Sequence, residues 1–155
     1  MVTPEDELVA VYLRAVATAD ADLAISLFSD DGTVHSPLYG PRPAAEFYPA
    51  LFEDTSQATL TLRSVMTGED RSGARTVSFW FHFDWRLPSG AAAPFDVVDV
   101  ATLAPDGRIR DLHIVYDTVD VRPAFEADVG RRSWRASRES NPLGGQPWAE
   151  VSTGD

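Results

Sequence analysis

Among the residues able to do chemistry, Asp99 stands out by its neighbours. In Phe95-Asp96-Val97-Val98-Asp99-Val100 the alternation of a strand puts Phe95, Val97 and Asp99 on one face. A carboxyl group set between Phe95 and Val97 loses water, and desolvation raises its pKa toward neutrality, so that it can donate a proton or share one. The bare alternative is a buried, hydrogen-bonded carboxyl with no further role. Phe79, Phe81, Phe83 and Trp85 alternate with Trp80, His82 and Asp84, which gives a second strand one wholly aromatic face. Ile114 and Tyr116 share a face with Leu112 on a third. If these faces enclose a pocket, its ligand is apolar. On a helical stretch near the start, Tyr12 and Val16 fall on one side; taken alone, a tyrosine there is ordinary core with its hydroxyl tied to a partner.

Other chemistries are poorly served. The chain has no cysteine, which removes thiol nucleophiles, disulfides and cysteine metal sites. All 13 cationic side chains are arginine, so a lysine Schiff base is impossible. His35, His82 and His113 lack ligand spacing and fall on strand faces opposite the pocket candidates, so no metal site and no cofactor is expected. His35 is the best of the three as a base, being next to Ser36. A formal net charge of −11 argues against a nucleic-acid partner.

The elements that would position these groups follow from capping and periodicity. Thr3-Pro4-Glu5-Asp6 starts a helix that carries Leu8, Val11, Tyr12, Ala15 and Val16. Asp20 caps a second, with Leu23, Leu27 and Phe28, which Asp30-Asp31-Gly32 should end. Thr33 to Ser36 reads as a short strand and Pro37 to Pro43 as a turn region. A third helix is expected over Ala44 to Phe52, with a kink or early stop at Pro49. Four long strands follow as a meander: Ala58 to Thr67, Arg75 to Leu87, Phe95 to Leu103 and Ile109 to Val119, separated by Gly-, Pro- and Asp-rich turns. The sum is an α+β fold, three N-terminal helices packed on a curved, mostly antiparallel sheet, shaped as a cone with one open end.

At 155 residues with 44% hydrophobic side chains, the chain suits one globular domain. That domain is expected over residues 1–121. Residues 122–155, with Arg131-Arg132, Trp134, Gly144-Gly145 and Trp148, read as an irregular tail of which part packs. No apolar run approaches the roughly 18 residues of a membrane span, so no membrane partner is expected. The acidic start, Met1 to Glu7, does not read as a signal peptide, and a cytoplasmic location is expected.

This order of elements, with Leu27-Phe28-Ser29-Asp30-Asp31-Gly32-Thr33-Val34, Ala45-Glu46-Phe47-Tyr48 and Asp106-Gly107-Arg108-Ile109, resembles the nuclear transport factor 2-like (NTF2-like) superfamily over roughly Leu8 to Val121. Within it the likeness is to ketosteroid isomerases and SnoaL-like polyketide cyclases. The isomerase pattern implies an oxyanion hole made of a tyrosine on the first helix and an aspartic acid on a late strand, which Tyr12 and Asp99 match. The family's base aspartate falls just before Pro37, where this chain has Ser36. A hydroxyl has no useful basicity near neutral pH without a neighbouring base. That departure argues against the usual steroid isomerisation, while SnoaL-like cyclases and epoxide-opening relatives keep a late-strand aspartate in play.

The reading is a cofactor-independent acid/base enzyme, an isomerase, cyclase or epoxide-opening type. Its substrate would be a small apolar oxygenated molecule such as a polyketide or a steroid- or terpenoid-like ring. Asp99 and Tyr12 would be catalytic, with Val16, Ser36, Phe47, Phe79, Phe81, Phe83, Phe95, Val97, Ile114 and Tyr116 around the substrate. The alternative is a non-catalytic ligand-binding or dimerisation module of the same fold. A homodimer is expected in either case, because the back of the sheet exposes Trp80 and Val98.

Overall fold

The computed structural model of the chain describes residues 2–135. The first helix, α1 (Pro4–Ala17), begins with a capping box: Thr3 Oγ1 accepts from the Asp6 amide, and the Asp6 carboxylate accepts from the Thr3 amide. It buries Val9, Tyr12, Ala15 and Val16. The Asp20 side chain accepts from the Leu23 amide and caps α2 (Ala21–Ser26).

That second helix is shorter than expected. It stops at Ser26, and β1 (Phe28–Ser36) begins where turn chemistry had been read at Asp30-Asp31-Gly32. Parallel pairing with a later strand overrides the local signal. The register slips between Phe28 and Thr33, and this irregularity absorbs the acidic residues. A side chain at Gly32 would meet Phe28 Cβ at 2.9 Å and the Ile109 carbonyl at 3.0 Å.

The stretch expected as a turn region holds a tight turn and then β2 (Gly40–Pro43), which folds back antiparallel on β1. The third helix, α3 (Ala44–Glu53), passes straight through Pro49, contrary to the expected stop. Pro49 and Ala45 both face solvent, so the carbonyl that loses its amide donor is hydrated. The meander then follows as β3 (Gln57–Glu69), β4 (Arg75–Arg86), β5 (Phe95–Leu103) and β6 (Ile109–Val115). The last strand is four residues shorter than anticipated.

The six strands form one sheet in the order β2-β1-β6-β5-β4-β3, with the β1–β6 pair parallel and every other pair antiparallel. Register shifts in β3 between Leu62 and Ser64, and in β5 between Thr102 and Leu103, strengthen its curl. Val77, Phe79, Phe81, Phe83 and Trp85 of β4 are buried on the concave face beneath the helices. The convex face leaves Trp80 and Met66 each 44% exposed and Val115 58% exposed, while Val98 is half-buried.

Beyond Val121 the expectation of irregular chain needs correction. A fourth helix, α4 (Val121–Val129), tolerates Pro123 in its first turn, where no amide partner is needed, and ends at Gly130 in the left-handed conformation. Phe125 inserts into the core, stacked on Trp85 at 5.6 Å and edge-on to Tyr39 at 5.5 Å. The segment after it returns to β2: the Trp134 amide donates to the Leu38 carbonyl at 2.8 Å. Gly144-Gly145 and Trp148 lie outside the described residues.

Gly40 ties these pieces together. Its φ is +76°, and a Cβ there would sit 2.6 Å from Trp134 Cδ1. Gly40→Ala should therefore combine backbone strain with a clash and cost about 1–3 kcal/mol in urea unfolding, with a change in Trp134 fluorescence. An unchanged midpoint would show that the C-terminal segment does not depend on this contact.

Candidate active site

The open end of the curled sheet encloses an apolar cavity, walled by side chains from almost every element. Helix α1 supplies Tyr12 and Val16, and α3 supplies Phe47 and Leu51. Ser36 comes from the end of β1, with Leu38 and Tyr39 from the turn after it. The sheet floor consists of Leu60 of β3, Phe81, Phe83 and Trp85 of β4, Phe95, Val97 and Asp99 of β5, and Ile114 of β6, with Tyr116 just beyond. The cavity volume is about 40 Å³, room for about three waters.

Of the residues singled out from the sequence, Phe79 alone is not on this wall. It pairs directly with Asp99 across the β4–β5 ladder, but Tyr12 covers it edge-on at 5.4 Å, so it supports the tyrosine from behind. Leu38, Tyr39, Leu51 and Leu60 line the cavity without having been expected there. Leu51 was reachable by spacing, since Ala44, Phe47, Tyr48 and Leu51 make one helical face. Leu38 and Tyr39 lie in a proline-rich turn that carries no periodicity.

Asp99 is 1% exposed. It is the one carboxyl on the cavity wall among the described residues. Burial pushes its pKa well above the ordinary carboxylate value, and the neighbouring Tyr12 hydroxyl offsets this only in part. Asp99 Oδ1 is left buried with no partner among the described residues. Burial thus biases the group toward the neutral acid, with unspent hydrogen-bonding capacity on an apolar wall.

Behind Tyr12 stands a residue the sequence did not single out. Tyr48, wholly buried, donates from its hydroxyl to the Tyr12 hydroxyl at 3.0 Å. Tyr12's own proton is then left for Asp99 or for a ligand. Burial raises the pKa of both phenols, and the nearby Asp99 carboxyl raises them further. Neither ionises near neutral pH.

Ser36 has a different job from a base. Its Oγ accepts the amides of Leu38 at 3.1 Å and Tyr39 at 3.2 Å, which shapes the turn into β2. Both lone pairs are occupied, so it can donate a proton but cannot take one. On the convex face, His35 stacks on His113 at 4.0 Å and approaches Asp111 at 3.3 Å, while His82 approaches Asp96 at 3.0 Å. All three histidines lie across the sheet from the cavity. Among the described residues no cluster of side chains could hold a metal ion, and no helix is long and apolar enough to cross a membrane.

The model of the SnoaL-like domain family matches residues 9–112, which includes the cavity's helices and nearly all of its sheet. This chain belongs to the SnoaL-like family, within the NTF2-like superfamily. The SnoaL-like domain is similar to SalBIII, an epoxide hydrolase/cyclase-like enzyme with a role in pyran ring formation in the polyether salinomycin. The TM-score is 0.61 at 21% identity, over 75% of this chain and 92% of that one. It is also similar to the Δ5-3-ketosteroid isomerase of a Mycobacterium species, with a TM-score of 0.59 at 20% identity over 77% and 97% of the two chains. An NTF2-like protein of unknown function from an Exiguobacterium species aligns with a TM-score of 0.59 at 20% identity, over 71% and 98%. At these identities the likeness speaks to fold. No curated protein matches the sequence.

The protonation of Asp99 has a measurable cost. In the unfolded chain an aspartate titrates near about 3.9. With the folded pKa raised, the folded state holds one proton more than the unfolded state between the two values. Stability from this group is complete below about pH 4 and falls by about 1.4 kcal/mol per pH unit until the folded pKa is passed. Urea unfolding of wild type against Asp99→Asn at pH 5, 6 and 7 should show the wild type losing ground to the variant at each step. A pH-independent difference would mean that Asp99 is ionised in the fold.

Proposed function

We propose that this SnoaL-like domain is a cofactor-independent acid catalyst acting on a small apolar oxygenated molecule, with Asp99 as proton donor and Tyr12 as its hydrogen-bonding partner. The observation that carries this reading is the unpartnered buried Oδ1 of Asp99 on the cavity wall. Leaving such an atom unsatisfied costs about 1–3 kcal/mol, a cost that a substrate oxygen would relieve.

The chemistry follows from having one carboxyl and no second base on the wall. As a substrate C–O bond breaks, or a carbonyl gains negative charge, Asp99 gives its proton to that oxygen and Tyr12 donates a hydrogen bond to it. The resulting carboxylate can then take a proton from a substrate hydroxyl as that oxygen forms a new C–O bond, or from carbon in an enolisation. Asp99 returns to its starting form and the substrate is converted to an isomer. Ring closure and epoxide opening by an internal hydroxyl satisfy this balance in one pass; a double-bond shift takes a second, in which Asp99 gives its proton to the new carbon and takes back the one on oxygen. The aromatic walls exclude all but a few waters, which favours internal nucleophiles over hydrolysis.

Ser36 is the observation that favours a second reading, a ligand-binding module without turnover, since the position of the family's base is held by a turn-forming hydroxyl. Under either reading a second copy of the chain would cover the convex face around Trp80, Met66 and Val115.

Binding of para-substituted phenols of graded acidity separates the two. A site built to stabilise developing negative charge on oxygen binds the more acidic phenols more tightly. Asp99→Asn and Tyr12→Phe should each weaken them by about tenfold, since a charge-assisted hydrogen bond contributes about 1.5–3 kcal/mol. Affinity that follows phenol hydrophobicity alone, unchanged in both variants, would favour the binding module.

A further inference from the structure

We infer that a cationic recess beside the cavity binds a carboxylate carried by the substrate, so that the ligand is an amphiphile with an oxygenated apolar end and an acidic end. This deepens the proposed function and rests on the reading of the cavity as a substrate site. The recess shares Leu38 and Tyr39 with the cavity and is completed by α4 and the segment after it, including Arg42, Arg131, Arg132 and Trp134. The recess has a volume of about 260 Å³, against about 40 Å³ for the cavity. A ring-sized ligand with its reacting oxygen at Asp99 overfills the cavity, and this recess is the adjoining space.

Among the described residues the charges in the recess are not balanced. Arg131 is committed: it bonds Asp54 Oδ2 at 2.6 Å, on the same carboxylate that accepts the Tyr39 hydroxyl at 2.7 Å. Arg42 is held in place without being neutralised. Its guanidinium lies 5.7 Å from the Tyr39 ring centroid, and its Nε donates to the Tyr39 carbonyl at 3.2 Å. Its two terminal nitrogens have no partner among the described residues. Arg132 has no ion pair or side-chain hydrogen bond there at all. In a chain of net charge −11, two uncompensated guanidinium groups on one recess form a site of the opposite sign. A pre-oriented guanidinium edge fits a planar carboxylate with two parallel hydrogen bonds. Neither Arg42 nor Arg132 touches Asp99 or Tyr12, so the recess would set substrate choice rather than take part in bond breaking.

The test uses ω-(4-hydroxyphenyl)alkanoates of increasing chain length against neutral 4-alkylphenols of matched length, with binding measured by calorimetry on the full chain. At one tether length the acid should bind about tenfold more tightly than its neutral match at low salt, and the advantage should shrink as salt rises. Arg132→Gln and Arg42→Gln should each reduce that advantage, and the double variant should abolish it while leaving the neutral phenols unchanged. Arg132→Glu, at an exposed position without partners, checks that the loss follows charge and not folding. Acids that bind no better than neutral phenols at every length, or that keep their advantage in the double variant, overturn the inference. Failure of the cavity reading has a different signature, in which Asp99→Asn leaves the neutral alkylphenols unaffected whatever the arginine variants do.

Discussion

A carboxyl group kept almost wholly out of water, with one oxygen left unpartnered, is the constraint around which the rest of this domain is arranged. Ionised, Asp99 would require a cation or several amide donors, and the described residues supply neither; the polar group beside it is a phenol that is itself backed by a second phenol. The surroundings therefore select the neutral acid. Everything that makes the cavity apolar also raises the pKa of Asp99, which is what the proposed proton donor requires. Fold and chemistry are coupled through desolvation.

Holding that group in place takes long-range structure. Asp99 is central in β5, between β4 and β6, so its backbone is fixed by ladders on both sides. Tyr12 arrives from α1 and Tyr48 from α3, elements distant from β5 in the chain, and Phe79 sets the tyrosine ring from behind. The C-terminal segment closes the other side. Arg122 donates to the carbonyls of Pro37 at 2.9 Å and Trp134 at 2.7 Å, while Arg131 and Tyr39 share Asp54. These contacts bind α4 to the turn that carries Leu38 and Tyr39, the two residues that line both cavity and recess.

The sequence was most legible where one physical rule acts alone. Caps at Thr3 and Asp20 and strict alternation in β4 and β5 placed the helices and the inner sheet face, and with them Asp99 beside Phe95 and Val97. It misled where two rules compete. Asp30-Asp31-Gly32 has sound turn chemistry, yet parallel pairing of β1 with β6 draws it into an irregular strand. Pro49 looks like a helix stop, yet it falls on the solvent face, where the lost hydrogen bond matters least. Phe79 obeys the alternation, but only the packing of α1 decides whether a residue on that face meets the cavity or the underside of Tyr12. Tyr39 and Arg42 left no periodic trace, because the role of each depends on a contact with a distant segment, whereas Val121, Phe125 and Val129 of α4 recur at helical spacing that the reading of an irregular tail passed over.

The most direct test of this account is the protonation state of Asp99, read from the carboxyl signal of ¹³C-labelled aspartate and assigned by its disappearance in Asp99→Asn. The account predicts a neutral carboxyl at pH 7, with a titration displaced well above the ordinary aspartate range and shifted again when a phenol binds. A carboxylate already ionised at pH 5, indifferent to phenol, would contradict it.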